Sequence, residues 1–238
     1  MTRFAAGVSI LSLIVPTMTK QTSLTMPLEE AMRTQRAIRR LKPDPVDDKL
    51  VLHLIELALK APTGSNAQTW EFIVVKDRAV KAALARLNRA AWSVYGARER
   101  LLAGRSGNDR AARSVRAVQW QADHFEECPV VVVACLKGLI PPWPPVAAAS
   151  AYGSIFPSVQ NLLLAARAAG LGAALITLPL WNTLLARRAL GLPWNVTPCA
   201  VIPLGWPKGK YGPTTRRPVE DVVSLDHYGN RVFRKRKA

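Results

Sequence analysis

The sequence predicts a single layered domain that mixes helices and strands. Three observations predict it. The chain has 238 residues, 49% of them apolar, enough for one sizeable core. Segments with helical periodicity alternate with short runs rich in β-branched residues. About four of those runs read as clear strands, and no internal repeat of roughly 20–50 residues interrupts them.

The first ordered element is expected near Pro27. Residues 28–39 read as a helix with Glu29 and Glu30 in its first turn, where the dipole favours acids. Lys42-Pro43-Asp44-Pro45 is a break, and Asp47 caps a second helix that runs to Ala61-Pro62. The loop 62–68 follows, then a strand over 70–75 and a helix over 78–91. Residues 96–114 mix Gly, Arg and Ser and read as a mobile stretch or lid. A helix is expected over 119–127 and a buried strand over 130–136. Pro141 to Pro145 read as a rigid loop. Then come a helix over 154–169 stopped by Gly170, a strand over 173–178, a helix over 181–190 closed by Gly191, and a strand over 199–204.

Both ends are set apart from the domain, which is expected to span 27–222. Residues 1–26 read as an extension or a misassigned start. Phe4 to Val15 is apolar like the core of a signal peptide, but no convincing small-x-small cleavage site follows it. It is also too short to span a bilayer. Residues 223–238 form a basic tail. The formal charge of +17 points to phosphate-bearing partners or to plain surface chemistry. The three cysteines supply no disulfide framework, and Cys135 and Cys199 lie in apolar runs. Such cysteine usage suits a reducing compartment, so a cytoplasmic location is expected. His53, His124 and His227 lack metal-ligand spacing, and no metal is expected.

Three clusters carry candidate chemistry. Arg36, Arg39 and Arg40 would share one face of a helix, either as a phosphate cradle or as a solvated basic face. The loop Pro62-Thr63-Gly64-Ser65-Asn66-Ala67-Gln68 combines a fixed φ, a glycine that permits positive φ, and polar side chains before a strand. Gly205-Trp206-Pro207 and Arg216-Arg217-Pro218 form a basic C-terminal region. Taken singly, each has an ordinary structural reading.

Taken together, the clusters resemble the nitroreductase family in order and spacing. The resemblance rests on Gln35-Arg-Ala-Ile-Arg39, on Ala61-Pro-Thr-Gly-Ser-Asn-Ala-Gln-Thr-Trp70, on Gln160-Asn-Leu-Leu-Leu-Ala-Ala166 with Gly170-Leu-Gly172, and on Gly205-Trp-Pro207 with Arg216-Arg-Pro218. It covers roughly residues 28–222. It implies an α+β fold, a three-layer α/β/α sandwich with a mostly antiparallel central sheet, and a homodimer with flavin mononucleotide (FMN) at the interface. Arg36 and Arg39, with the Ala37 backbone, would then hold the phosphate from one side, and Arg216 and Arg217 from the other. Asn66 would bond the flavin ring, while Gln68 and the backbone of Pro62, Thr63, Gly64 and Ser65 shape the pocket. Thr177 and Leu178 match the segment that approaches the flavin N5. Some of these residues would come from the partner chain. Two departures stand out: Gln35 replaces the usual first Arg, and Ala37 replaces the usual Ser.

The implied activity is reduction of an electron-poor acceptor (a nitroaromatic, quinone or activated alkene) by NAD(P)H in a ping-pong sequence. No acid–base side chain is required for it, and none is assigned. The alternatives are a specialised oxygen-dependent or dehalogenating member of the family, or a non-catalytic flavin- or nucleic-acid-binding protein. No helix-turn-helix, zinc-finger or RNP signature supports nucleic-acid binding, and no membrane partner is expected.

Overall fold

The computed structural model describes residues 24–107, 109–138, 140 and 143–234. The expected N-terminal extension lies largely outside them, as do Pro141, Pro142 and the last four residues of the basic tail.

Four strands form one antiparallel sheet in the order β1-β2-β4-β3: β1 Trp70–Val75, β2 Val130–Lys137, β3 Gly172–Ala173 and β4 Val196–Gly205. Side chains alternate across a strand, and β2 divides them between two cores. Val130, Val132, Ala134 and Leu136 join one core with α2 (Asp48–Ala58) and α5 (Pro145–Ala168). Val131, Val133 and Cys135 join the other, with Leu84 and Ala85 of α3 (Arg78–Ser106) and with Phe125. Helices therefore cover both faces of the sheet, as a three-layer α+β sandwich requires. All three cysteines are free and buried.

Several elements differ from expectation. Helix α1 covers only Leu28–Thr34, and Gln35 turns the chain extended. The Ile38 N–H then donates to the Ala173 carbonyl, the Lys42 N–H to that of Trp206, and the Lys208 N–H to that of Arg40. These sheet-edge hydrogen bonds replace the helical ones, so Arg36, Arg39 and Arg40 do not share a helical face. Residues 96–106 belong to α3, and α4 (Asp109–Asp123) returns against it, so the stretch read as mobile is a helical hairpin. Gly96 fits inside α3 because the Trp92 ring covers it: an added Cβ would stand 2.6 Å from Trp92 Cε2. Gly107, at φ 59°, ends the helix.

The proline tract gives way to α5, which starts at Pro145, where a missing N–H costs nothing. The third expected strand shrinks to Gly172–Ala173. Ile176 adds one bridge to Val201, and Leu178–Leu180, with Pro179 in its first turn, is a 3-10 turn. The fourth is longer than expected. It begins at Val196, and a register shift opposite Ala134 and Cys135 accommodates Pro198. Asp47 caps α2 by accepting from the Lys49 N–H. Among the described residues, no helix is long and apolar enough to cross a membrane.

Candidate functional site

Residues 35–42 form an extended strap over the β3–β4 edge. Gly172 faces Gly205 across the ladder. A Cβ on Gly172 would come within 2.7 Å of both Ile38 Cγ2 and Leu41 Cδ2, so the strap needs a bare backbone there.

The C-terminal segment is fastened beside the strap. The Thr214 N–H and hydroxyl both donate to the Arg33 carbonyl, at 2.9 and 3.1 Å. The Tyr211 hydroxyl donates to the Leu171 carbonyl. Arg167 stacks 4.0 Å from the Tyr211 ring centroid and donates from Nε to the Thr34 hydroxyl. Burial raises the Tyr211 phenol to about 12, against the opposing pull of Arg167. These contacts bring the segments carrying Arg36 and Arg216 side by side. Arg36, Ala37, Arg216 and Arg217 are all exposed, and Arg216 donates to the neighbouring Thr215 carbonyl.

Arg39 behaves differently. It turns inward, and burial lowers its pKa below the usual guanidinium value. Its Nε has no hydrogen-bond partner among the described residues. It lines a cavity of about 460 Å³ together with Ile176, Thr177 and Leu178, under a roof from α3 and α4. Trp92, Tyr95 and Trp181 supply an aromatic wall. Two more lining residues, Asn88 and Gln121, each bury a polar atom, Oδ1 and Nε2, that has no partner among the described residues. Three unsatisfied polar groups around one space are unusual, because buried polar atoms nearly always pair. A larger recess of about 660 Å³ lies along α6 (Thr183–Leu190), between Leu184, Leu185 and Trp194. It has no such atom and none of the expected cofactor residues, so the smaller cavity is the better candidate.

The loop 62–68 lies elsewhere. The Gly64 N–H donates to the Ser154 hydroxyl of α5 at 3.1 Å, and the Trp70 indole donates to the Ser154 carbonyl. Positive φ falls on Ser65 (51°), Asn66 (52°) and Gln68 (49°) rather than on Gly64. Gly64 is instead a close-approach residue, whose Cβ would meet the Ser150 hydroxyl at 3.3 Å. Gln68 Nε2 donates to Asn66 Oδ1, and the Gln68 N–H to the Thr63 hydroxyl. Pro62 and residues 64–68 are exposed, and no loop residue lines the cavity of the same chain. The structure thus gathers Arg39, Thr177 and Leu178, sets the segment carrying Arg36 beside the one carrying the C-terminal arginines, and keeps the loop apart.

Sequence reasoning missed Asn88 and Gln121. A signal was present for Asn88: Leu84, Asn88 and Trp92 recur at helical spacing on the buried face of α3. A polar residue there breaks the apolar pattern.

The Nitroreductase family model matches residues 32–206, well over half of the chain. The chain belongs to the nitroreductase family. Across 204 residues it is 29% identical to an NADH dehydrogenase of Thermus thermophilus, covering 84% of this chain and 97% of that one. A BluB-like flavoprotein of Clostridium difficile shares its fold with TM-score 0.63 at 20% identity, covering 85% and 100% of the two chains. Oxidized iodotyrosine deiodinase bound to FMN and 3-iodo-L-tyrosine superposes with TM-score 0.65 at 19% identity, covering 85% and 99%. The layered antiparallel fold inferred from the motifs is the fold of this nitroreductase-family chain.

Proposed function

We propose that this protein is an FMN-dependent oxidoreductase in which NAD(P)H reduces an electron-poor acceptor, a nitroaromatic, quinone or activated alkene. The observation that carries it is the half-buried Arg39 side chain beside Thr177 and Leu178 in a cavity of about 460 Å³. That volume lies within the usual range for cofactor sites, roughly 300–1,000 Å³. A cation held in that lining fits the electron-rich edge of a flavin. FMN, when bound, supplies the hydride chemistry.

The residues of this chain bind and orient. Arg39 donates into the cavity, and the Thr177–Leu178 backbone offers polar groups at its floor. Arg36 with the Ala37 backbone, and Arg216 with Arg217, attract the phosphate at the exposed mouth. Trp92, Tyr95 and Trp181 exclude water from the aromatic side. The loop from Pro62 through Thr63, Gly64, Ser65 and Asn66 to Gln68 serves the cavity of a second copy. Exposed Leu28 and Met32 on α1, with Tyr152 and Phe156 on α5, support a homodimer that buries this face. The test is the visible absorption spectrum of the purified protein, followed by release and identification of the chromophore. Bound FMN is expected. A colourless protein that FMN cannot reconstitute would refute the proposal.

A further inference from the structure

We infer that the outer face of α6 docks on an anionic lipid bilayer, where the protein rests peripherally. The inference goes beyond the redox reading and does not depend on it. In α6, Ala186 faces the core, which turns Leu184, Leu185 and Arg188 outward. Leu184 is 59% exposed and Leu185 45%, and Trp194, just past the helix, is 75% exposed. These three line the one recess of about 660 Å³, so the exposed apolar groups are grouped and not scattered singly. Trp181, 55% exposed, stands one residue before Asn182 at its edge. Trp194 is held in place: the Arg187 guanidinium lies 5.4 Å from its ring centroid and donates to the Pro193 carbonyl at 2.6 Å.

The charge matches the partner. Between Glu127 and Glu220 the sequence contains no Asp or Glu, and every charged residue there is Lys or Arg. No carboxylate of α6 or of its flanking loops therefore repels a lipid phosphate. Arg188 is exposed and has no ion-pair partner among the described residues. Indole, leucine and arginine side by side suit a membrane interface. The rings sit at headgroup level, the leucines reach the acyl boundary, and the guanidinium meets the phosphates. A nucleic acid would engage the arginines and leave both leucines in water. Docking of this kind needs no spanning helix, and among the described residues there is none.

The experiment floats the full chain with vesicles of phosphatidylcholine alone, or of phosphatidylcholine and phosphatidylglycerol in equal parts. The parent is expected to bind the mixed vesicles about tenfold or more tighter than the neutral ones. Arg188→Gln should weaken binding to the mixed vesicles by about fivefold, the share of one basic side chain at an anionic surface. Leu184→Ser combined with Leu185→Ser should weaken it by about tenfold or more, with little change in melting temperature because both side chains are exposed. Brominated phosphatidylcholine in the mixed vesicles should quench tryptophan fluorescence, and Trp194→Phe should lose part of that quenching. The Trp194 readout stands even if the double-serine variant does not fold. No flotation overturns the inference. So does flotation that every variant keeps, which would place the contact elsewhere in the chain. Light scattering without vesicles tests the protein alternative: a smaller assembly in the double-serine variant would make the face a contact between copies and overturn the inference. DNA binding that needs Arg188 but not the leucines, without flotation, would overturn it in favour of a nucleic-acid contact.

Discussion

Replacing Gly172 by alanine should pry the Arg39 strap from the sheet edge. The new Cβ would stand 2.7 Å from Ile38 Cγ2, 2.7 Å from Leu41 Cδ2 and 3.1 Å from Ile38 Cβ. Leu41 is buried and Ile38 is half-buried against the same core, so neither side chain has open space to retreat into. Overpacking of this kind costs about 1–3 kcal/mol. Alanine also narrows the unfolded ensemble, which returns about 0.4–1 kcal/mol. The clash is the larger effect, leaving a net loss of about 1–2 kcal/mol. For a domain of this size that lowers the melting temperature by roughly 2–8 °C. Urea unfolding followed by tryptophan fluorescence measures it, with m required to stay constant. Adding Ile38→Ala should recover part of the loss, a coupling of about 1 kcal/mol between touching side chains. A midpoint equal to or above the parent's would refute the reasoning, because it would mean that the strap never needed a bare backbone.

Arg216→Ala should weaken FMN binding by about tenfold or more, the equivalent of one charge-assisted hydrogen bond; unchanged affinity in a fluorescence titration would count against the phosphate assignment. The thiols make a pH prediction. Burial raises Cys128 to about 11, Cys135 to about 12 and Cys199 to about 11, from an ordinary value of 9.0. Their contribution to stability is present below pH 9 and is lost as pH rises through 11 to 12, because the unfolded chain ionises first. Denaturant midpoints should therefore fall across that window, and at pH 8 a thiol reagent should label the native protein far more slowly than the unfolded one.

Where local chemistry decides the structure, the sequence was readable. Strand β1 occupies the span its β-branched and aromatic residues suggest. Asp47 caps its helix, and Gly170 and Gly191 end theirs at φ 78° and 63°. Local signals failed where distant segments decide. Residues 35–39 carry a helix-compatible pattern, but hydrogen bonds to Ala173 and packing over Gly172 hold them extended. The Gly- and Ser-bearing stretch after residue 96 looked loose, yet a tryptophan ring and a partner helix make it a hairpin. The candidate site divided in the same way. Motif order named Arg39, Thr177 and Leu178, which meet in one cavity, whereas Asn88 and Gln121 belong to no motif and emerged only from their unmet hydrogen bonds.

The clasp between Arg33 and Thr214 joins residues 181 positions apart. Closing so long a loop is entropically unfavourable until the intervening layers have assembled, so this contact forms late in folding. On the ribosome the lateness is enforced, since Thr214 is made 181 residues after Arg33. The segments that carry Arg36 and Arg216 become neighbours only after both have been made, and a product stalled between them would display one half of the proposed anion-binding mouth.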